Sequence, residues 1–179
     1  KSLAPVKVVK KMQATAEALN ASRPTFPFAD VTSIIVGWSQ KALAENIEIY
    51  SYLEQHILGF LKGIRFRRME RVSKIAALIR DNDSVLTHCN VSGELAMAAA
   101  MCCKENKNVK FYATETRPYF QGAKLTAWEL NAVGAQGTLV ADNAVASLMK
   151  ERLINRVIIG SDRSCANGDV ANKIGSYQI

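Results

Sequence analysis

The second half of the chain alternates short runs of β-branched residues with stretches of helical periodicity. The β-branched runs lie at residues 85–88, 109–113, 138–141 and 157–159. Stretches rich in Ala, Leu and Met lie between them, at residues 94–105, 125–133 and 143–151. Such alternation is typical of βαβ units around a parallel sheet. We therefore predict an α/β fold with a Rossmann-like parallel sheet and flanking helices.

The first half has the pattern of helices. Apolar residues follow helical spacing over 6–19, 31–61 and 64–79. The Ser22-Arg23-Pro24-Thr25-Phe26-Pro27 segment separates the first two, because prolines remove backbone donors and restrict the residues before them. We predict a helical region over residues 1–83 and a partial Rossmann-like domain over residues 84–179. Only four strands are visible and a further helix is predicted near Val170, so we expect truncation at the C-terminus.

The composition is that of a globular protein without a membrane span. The 179 residues are 49% hydrophobic and 22% charged, which is ordinary for a globular chain. The longest segment without Asp, Glu, Lys or Arg, residues 130–141, falls short of the roughly twenty residues that span a bilayer. No apolar block resembling a signal peptide lies near the start. We expect a cytoplasmic protein with no membrane association.

The cysteines and histidines do not have the spacing of a metal site. The histidines are His56 and His88, and the cysteines, none of which form a C-x-x-C pair, are Cys89, Cys102, Cys103 and Cys165. A structural zinc site needs four closely spaced ligands. We predict no metal site, and burial as a small apolar residue is the ordinary interpretation of each cysteine.

Two chemistry-bearing pairs are expected at one edge of the predicted sheet. Ligands of open parallel sheets bind beyond the carboxyl ends of neighbouring strands whose connections leave to opposite faces. If the strand order is 3-2-1-4, Cys89-Asn90 and Ser161-Asp162 follow two neighbouring strands. A thiol and a carboxylate placed together can carry proton transfer. Core filling by Cys89, and a solvated ion pair between Asp162 and Arg163, remain open alternatives.

The same edge carries two candidate anion-binding segments. Asn167-Gly168-Asp169 predicts a turn and an N-cap, followed by a helix whose first turns carry Asn172 and Lys173. Free N–H groups, the helix dipole and a lysine suit a phosphate ester. Residues 90–93 offer a second anion-binding nest. Together they favour a phosphorylated small molecule, whereas an ordinary capped helix with a solvated lysine is the alternative.

Other ligand classes lack their motifs. No G-x-G-x-x-G follows the first predicted strand and no P-loop lysine occurs, which argues against NAD and ATP. A basic run from Arg65 to Lys74 is compatible with nucleic-acid binding, but on a periodic helix it more often forms a solvated or interfacial face. We therefore do not expect a nucleic-acid partner.

The motifs of the second half resemble one known family. They are Leu86-Thr87-His88-Cys89-Asn90, Glu115-Thr116-Arg117-Pro118, Gln121-Gly122, residues 125–130, Gly160-Ser161-Asp162-Arg163 and residues 166–175. In order and spacing they resemble the family that comprises methylthioribose-1-phosphate isomerase, ribose-1,5-bisphosphate isomerase and the alpha, beta and delta regulatory subunits of translation initiation factor 2B. The likeness covers residues 84–179, and Ser22-Arg23-Pro24-Thr25 adds a weaker anchor.

The resemblance implies a cofactor-independent aldose–ketose isomerase that acts on a sugar phosphate and assembles as a homodimer. Its reaction would convert S-methyl-5-thioribose 1-phosphate to S-methyl-5-thioribulose 1-phosphate in methionine salvage. The resemblance makes residues 84–179 the catalytic domain, with Cys89 and Asp162 as the catalytic pair. The residues implied to bind the substrate are Arg23, Asn90, Gln121, Asn172 and Lys173.

Two other functions within the family stay open. One is ribose-1,5-bisphosphate isomerisation, and the other is a noncatalytic regulatory or ligand-binding role. The noncatalytic members generally lack the Cys and Asp that stand here at positions 89 and 162. The Asp162-Arg163 pair and the form of residues 167–173 favour the methylthioribose enzyme. The ligand-binding alternative is favoured by Gly93, because the family usually has this glycine one residue earlier.

Overall fold

The computed structural model describes residues 3–24 and 26–179, so Thr25 of the N-terminal anchor motif lies outside the described residues. Contacts divide the chain into two compact units, Lys1–Phe66 and Arg67–Ile179. Within the described residues, no helix combines the length and the apolar character that crossing a bilayer requires.

The first unit is helical, as the periodicity predicts. Helix α1 covers Pro5–Ser22, α2 covers Phe28–Ala44, and α3 covers Ile49–Leu78 and continues into the second unit. Pro5 stands at the start of α1, where its missing N–H costs nothing and its fixed φ suits a helix. A small apolar core, formed by Val9, Ala42, Ile49 and Leu53, holds the three helices together.

The prediction of one helix over 31–61 and a break before residue 64 is wrong. Helix α2 ends because Asn46 adopts a left-handed conformation with φ of 53°. The N–H of Asn46 donates to the Leu43 carbonyl at 3.3 Å, and the N–H of Ile47 to the Ala42 carbonyl at 2.9 Å. This pair of bonds is the Schellman arrangement that closes helix ends. Helix α3 then runs without interruption through the position of the predicted break.

The second unit contains the parallel sheet. Its strands are β1 (Ser84–Thr87), β2 (Lys110–Thr114), β3 (Gln136–Val140) and β4 (Arg156–Val157). Their order is β3-β2-β1-β4 with every pair parallel, which confirms the predicted order. The helices between them are α4 (Glu94–Lys104), α5 (Ala127–Ala132) and α6 (Val145–Lys150), and a π-helical segment, Gly122–Thr126, precedes α5.

The core of the second unit reaches into α3. Val72 and Ala76 of α3, both buried, pack in one cluster with Val85 of β1 and Phe111 of β2. The C-terminal turns of α3 therefore belong with the sheet. The contacts accordingly divide the chain between Phe66 and Arg67, inside α3, and the domain boundary at residue 83 stays a prediction.

Asp83 links the start of β1 to β4 through a buried carboxylate. It is 6% exposed and accepts hydrogen bonds from the Arg80 N–H at 2.8 Å and from Arg156 Nε at 2.7 Å. Burial alone would raise the pKa of this carboxyl, but these hydrogen bonds and the Arg156 charge outweigh it and lower the pKa. Asp83 therefore stabilises the sheet in its ionised form.

We expect Asp83→Asn to lower the free energy of unfolding by about 2 kcal/mol at neutral pH, because it leaves Arg156 without its charged partner. The lowered pKa makes this stabilisation complete above the unfolded-state pKa of about 4 and lost as pH falls through the folded-state pKa. Urea titrations from pH 7 to pH 3 should show the difference from wild type shrink at the acid end. Asp81→Asn, at an exposed carboxylate nearby, is the control. An unchanged difference across this range would contradict the prediction.

The predicted helix near Val170, with Asp169 as its N-cap, is wrong. Strands β5 (Arg163–Ser164) and β6 (Val170–Ala171) pair antiparallel instead. The connecting turn contains Asn167-Gly168, with Gly168 at φ of 92°, and the Cys165 N–H donates to the Asp169 carbonyl at 2.8 Å. A glycine that permits positive φ between short strands is a hairpin signal, and it prevails over the helix-cap signal. Only one 3₁₀ turn, Ser176–Gln178, follows in the described chain.

Candidate functional site

Cys89 lies in a strained turn, two residues after the end of β1. Its φ is 65°, a left-handed conformation that costs free energy for a residue with a Cβ. Two threonines hold the turn: the Cys89 N–H donates to Thr116 Oγ1 at 2.9 Å, and Thr126 Oγ1 donates to the Cys89 carbonyl at 2.6 Å. The side chain is half-buried. Since both backbone groups are bonded, the backbone from which the thiol projects is fixed by the fold.

The π-helical segment Gly122–Thr126 brings Thr126 to the Cys89 turn. A Cβ at Gly122 would lie 1.7 Å from the Thr114 carbonyl oxygen and 2.8 Å from Thr116 Oγ1. The segment therefore approaches the end of β2 so closely that its first residue must lack a side chain. Such one-turn π segments are frequent at functional sites.

Asn90 shapes the loop between β1 and α4. Its Nδ2 donates to Thr126 Oγ1 at 3.1 Å and to Glu129 Oε2 at 2.7 Å, while its Oδ1 accepts the Ser92 N–H at 2.9 Å. The last bond is an Asx turn. Both amide hydrogens are thus used within the protein, which leaves a lone pair on Oδ1 as the free hydrogen-bonding capacity of the side chain.

The start of α4 is held by arginines of the basic run on α3. Glu94 is 8% exposed and binds Arg71 through two bonds, Nε to Oε2 at 3.1 Å and Nη2 to Oε1 at 2.6 Å. Donation of these hydrogen bonds to Glu94 raises the pKa of Arg71 above its usual value. Arg68 Nη2 donates to the Ser92 carbonyl. Part of the basic run therefore supports the site loop.

A cavity of about 520 Å³ opens at the carboxyl ends of β1 and β4. Three of the predicted site residues line it: Asn90, Asp162 and Asn172. Asp162 is exposed, and its N–H donates to the Ala171 carbonyl at 2.8 Å, which fixes the backbone at the base of the hairpin. The described wall includes Asn90 but not the adjacent Cys89. The cavity thus lies where the strand order predicts a ligand.

The remaining predicted site residues are more dispersed. Lys173 lines a second cavity of about 490 Å³, and Asn172 lines both this cavity and the first. The Lys173 Nζ lies 5.6 Å from the centre of the Tyr119 ring. Gln121 Oε1 is buried and has no hydrogen-bond partner among the described residues. Arg23 belongs to the first unit, where it is exposed and its guanidinium lies 5.6 Å from the Phe26 ring centre.

Several residues that hold the site had no assigned role from sequence. The N–H groups of Thr116 and Arg117 each donate to Asp142, both at 2.7 Å, and Thr116 in turn accepts from Cys89. Thr116 and Arg117 fall within a recognised motif, but no local pattern indicates a partner 25 or 26 positions away. Within residues 3–24 and 26–179, no group of three or more His, Cys, Asp or Glu side chains is arranged to hold a metal ion.

Comparison with known proteins assigns the family. The sequence model of the Initiation factor 2 subunit family matches residues 3–179. The chain belongs to this family. Methylthioribose-1-phosphate isomerase from Thermosipho africanus is 37% identical over 187 residues, an alignment that covers 96% of this chain and 51% of that protein. The chain therefore spans about half the length of the curated relatives it matches.

Solved structures of the same family share the fold. The 5-methylthioribose 1-phosphate isomerase from Pyrococcus horikoshii matches 99% of this chain and 52% of its own, with a TM-score of 0.78 and 28% identity. The delta subunit of translation initiation factor 2B from A. fulgidus matches 99% of this chain and 54% of its own, with a TM-score of 0.75 and 29% identity. The predicted fold and the family resemblance are both confirmed. The family includes isomerases and initiation-factor subunits alike, so membership leaves the activity open.

Proposed function

We propose that the whole protein is a sugar-phosphate aldose–ketose isomerase that converts S-methyl-5-thioribose 1-phosphate to S-methyl-5-thioribulose 1-phosphate in methionine salvage. The observation that carries the proposal is the position of Cys89 and Asp162 after two neighbouring parallel strands, β1 and β4. The names of relatives such as the Thermosipho africanus isomerase support the same activity. We further propose that the protein is cytoplasmic and forms a homodimer. Light scattering, which measures the molar mass in solution, tests the homodimer.

The chemistry requires acid–base groups rather than an external oxidant. The phosphate on the anomeric carbon prevents ring opening by the free-hemiacetal route, so the enzyme must assist the opening. Ring opening breaks the bond between C1 and the ring oxygen, and the ring oxygen gains a proton. The hydrogen on C2 moves to C1. The C2 hydroxyl loses its proton and becomes the carbonyl of the ketose. In this proposal Asp162 acts as the acid or base at the sugar oxygens, and Cys89 acts in the hydrogen transfer from C2 to C1. Because the reaction is an isomerisation, atoms and electrons balance within the substrate.

Polar groups around the two cavities are suited to a sugar phosphate. Lys173 supplies a positive charge beside Asn172, which borders both cavities. Gln121 Oε1 lies outside the linings of both cavities and has no hydrogen-bond partner among the described residues; in the proposal it accepts from a sugar hydroxyl. In the proposal Lys173, Asn172 and Gln121 bind the substrate, and Asn90, whose amide hydrogens are already used, contributes the cavity wall. The substrate-binding role of Arg23, which lies in the first unit, stays a prediction from the family resemblance.

The direct test is turnover by the full-length protein. Incubation with S-methyl-5-thioribose 1-phosphate should produce the ketose, followed by NMR, whereas ribose 1,5-bisphosphate in a parallel reaction should be converted much more slowly. Conversion of the bisphosphate alone would indicate that the protein is a ribose-1,5-bisphosphate isomerase instead. No turnover of either substrate by a folded protein would overturn the enzymatic proposal.

A noncatalytic ligand-binding role is the second candidate. It is favoured by the loop after Asn90, where Ser92 and Gly93 adopt φ of 50° and 75° and the glycine stands one residue later than in the family pattern. The likeness to the delta subunit of initiation factor 2B is consistent with it. Thermal stabilisation by sugar phosphates without product would support this role, and turnover would exclude it.

A further inference from the structure

His88 is a buried histidine beside the proposed site that the proposed chemistry does not use. It is 1% exposed and lies between the last residue of β1 and Cys89. Both ring nitrogens are bonded: Nδ1 lies 2.6 Å from Thr114 Oγ1, and Nε2 lies 2.8 Å from the Ile174 carbonyl oxygen. The ring therefore connects β2 to the segment that follows β6.

The partners of His88 determine its tautomer. A carbonyl oxygen only accepts hydrogen bonds, so Nε2 must carry a hydrogen and donate it to Ile174. In the neutral ring Nδ1 then accepts from the Thr114 hydroxyl. Thr114 Oγ1 lies 3.3 Å from Thr116 Oγ1, which itself accepts the Cys89 N–H at 2.9 Å. These contacts link the Cys89 backbone to the Ile174 carbonyl in one chain through Thr116, Thr114 and His88, and Thr116 Oγ1 also lies 3.3 Å from the Thr114 carbonyl oxygen.

The far end of this chain is the loop that carries two predicted substrate-binding residues, Asn172 and Lys173. Gly175, with φ of 100°, follows Ile174, and a Cβ there would lie 3.0 Å from Cε1 and Nε2 of His88. The loop thus packs against the imidazole with no room for a side chain. Asn172 is further fixed by donation from its Nδ2 to Ser176 Oγ at 2.9 Å.

We propose that His88 is a positioning residue: through Ile174 it fixes the loop that carries Asn172 and Lys173, and through Thr114 and Thr116 it fixes the turn that carries Cys89. The proposal rests on the proposed isomerase function for its kinetic consequence. Its structural content, the tautomer and the anchored loop, stands independently of substrate. His88 acts through these neighbours and does not itself touch the reacting atoms.

Two substitutions separate the ends of the chain. His88→Asn keeps a polar atom near the Nδ1 position but loses the donor to Ile174, whereas the amide of His88→Gln reaches the Nε2 position. For the full-length protein we expect His88→Asn to raise KM about tenfold with kcat within about threefold, the effect of one lost hydrogen bond, and His88→Gln to restore KM to within about threefold. Equal losses in both variants would overturn the positioning role.

Two readouts without substrate keep this inference separate from the proposed function. Nitrogen-15 NMR of the wild-type protein should show a hydrogen on Nε2 of His88. Hydrogen exchange at residues 172–176 should be about tenfold faster in His88→Asn than in wild type. The matched control is Thr87→Val, since Thr87 is equally buried and its hydroxyl has no hydrogen-bond partner among the described residues.

A ring without a hydrogen on Nε2, unchanged loop exchange in His88→Asn, or the same acceleration in Thr87→Val would each overturn the inference about His88. Absence of turnover in the wild-type protein would overturn the isomerase proposal alone, because the tautomer and the exchange rates still decide whether His88 anchors the loop.

Discussion

Replacing Cys89 by Ser, or Asp162 by Asn, in the full-length protein is expected to lower kcat for S-methyl-5-thioribose 1-phosphate by about 10²–10⁴-fold, the contribution typical of a positioned proton-transfer group. Both changes nearly preserve the size of the side chain. The turn at Cys89 is held by its backbone N–H and carbonyl, which bond Thr116 and Thr126 whatever the side chain. Asp162 is exposed and anchored through its own N–H. We therefore expect the free energy of unfolding to change by less than about 0.5 kcal/mol in either variant.

The matched controls are Cys165→Ser and Asp169→Asn, which make the same chemical changes at exposed positions of the neighbouring hairpin. Initial rates of ketose formation are measured by NMR, and an unfolding curve is measured for the wild type and every variant. Wild-type rates in the controls are expected. If Cys89→Ser and Asp162→Asn both retain more than about a tenth of the wild-type rate, well above the loss of a proton-transfer group, then this pair does not catalyse the reaction.

The sheet could be predicted because its strands leave a direct trace in the sequence. Strands buried on both faces consist of unbroken apolar or β-branched residues, and Val85, Leu86 and Thr87 of β1 are all fully buried. The strand order followed from the commonest arrangement of such units. Once that order is right, the sheet edge where Cys89-Asn90 and Ser161-Asp162 lie follows without any knowledge of side-chain contacts.

The errors occurred where a single residue with positive φ controls the chain path. Asn46 ends α2 although the apolar period continues across it, and Gly168 turns the chain into a hairpin where Asp169 suggested a helix start. Periodicity averages over many residues, whereas a left-handed cap or turn depends on one. Conversely, Gly59 and Gly63 do not interrupt α3.

The contacts that hold the site could not be predicted, because they depend on tertiary register. Thr126, which donates to the Cys89 carbonyl, ends a π-helical segment, and sequence spacing gives no indication of that irregular turn. Glu129 meets Asn90 from 39 positions away. Sequence therefore indicates which residues carry chemistry, whereas the structure identifies those that hold them in place.

Gly122→Ala is the substitution expected to cost the most stability. Its Cβ would lie 1.7 Å from the Thr114 carbonyl oxygen and 3.0 Å from the Thr114 carbonyl carbon, so backbone rather than a flexible side chain would have to move. That carbonyl ends the central strand β2 and is enclosed by the buried cluster of Thr114 and Thr116. We expect a loss of more than about 4 kcal/mol in the free energy of unfolding, a large share of the stability of an ordinary domain.

Gly59→Ala is the matched control, because it adds the same methyl group inside α3 where nothing described lies within 4 Å. It should stabilise the protein by about 0.5–1 kcal/mol through the higher helix propensity of alanine. Urea unfolding of the two variants measures the contrast. In any Gly122→Ala protein that folds, the new methyl group must displace Thr114 or Thr116. If the Thr116 hydroxyl moves, the Cys89 N–H loses its hydrogen-bond acceptor. Its residual turnover should therefore fall together with its stability, whereas wild-type stability in Gly122→Ala would contradict the close approach of the π-helical segment to β2.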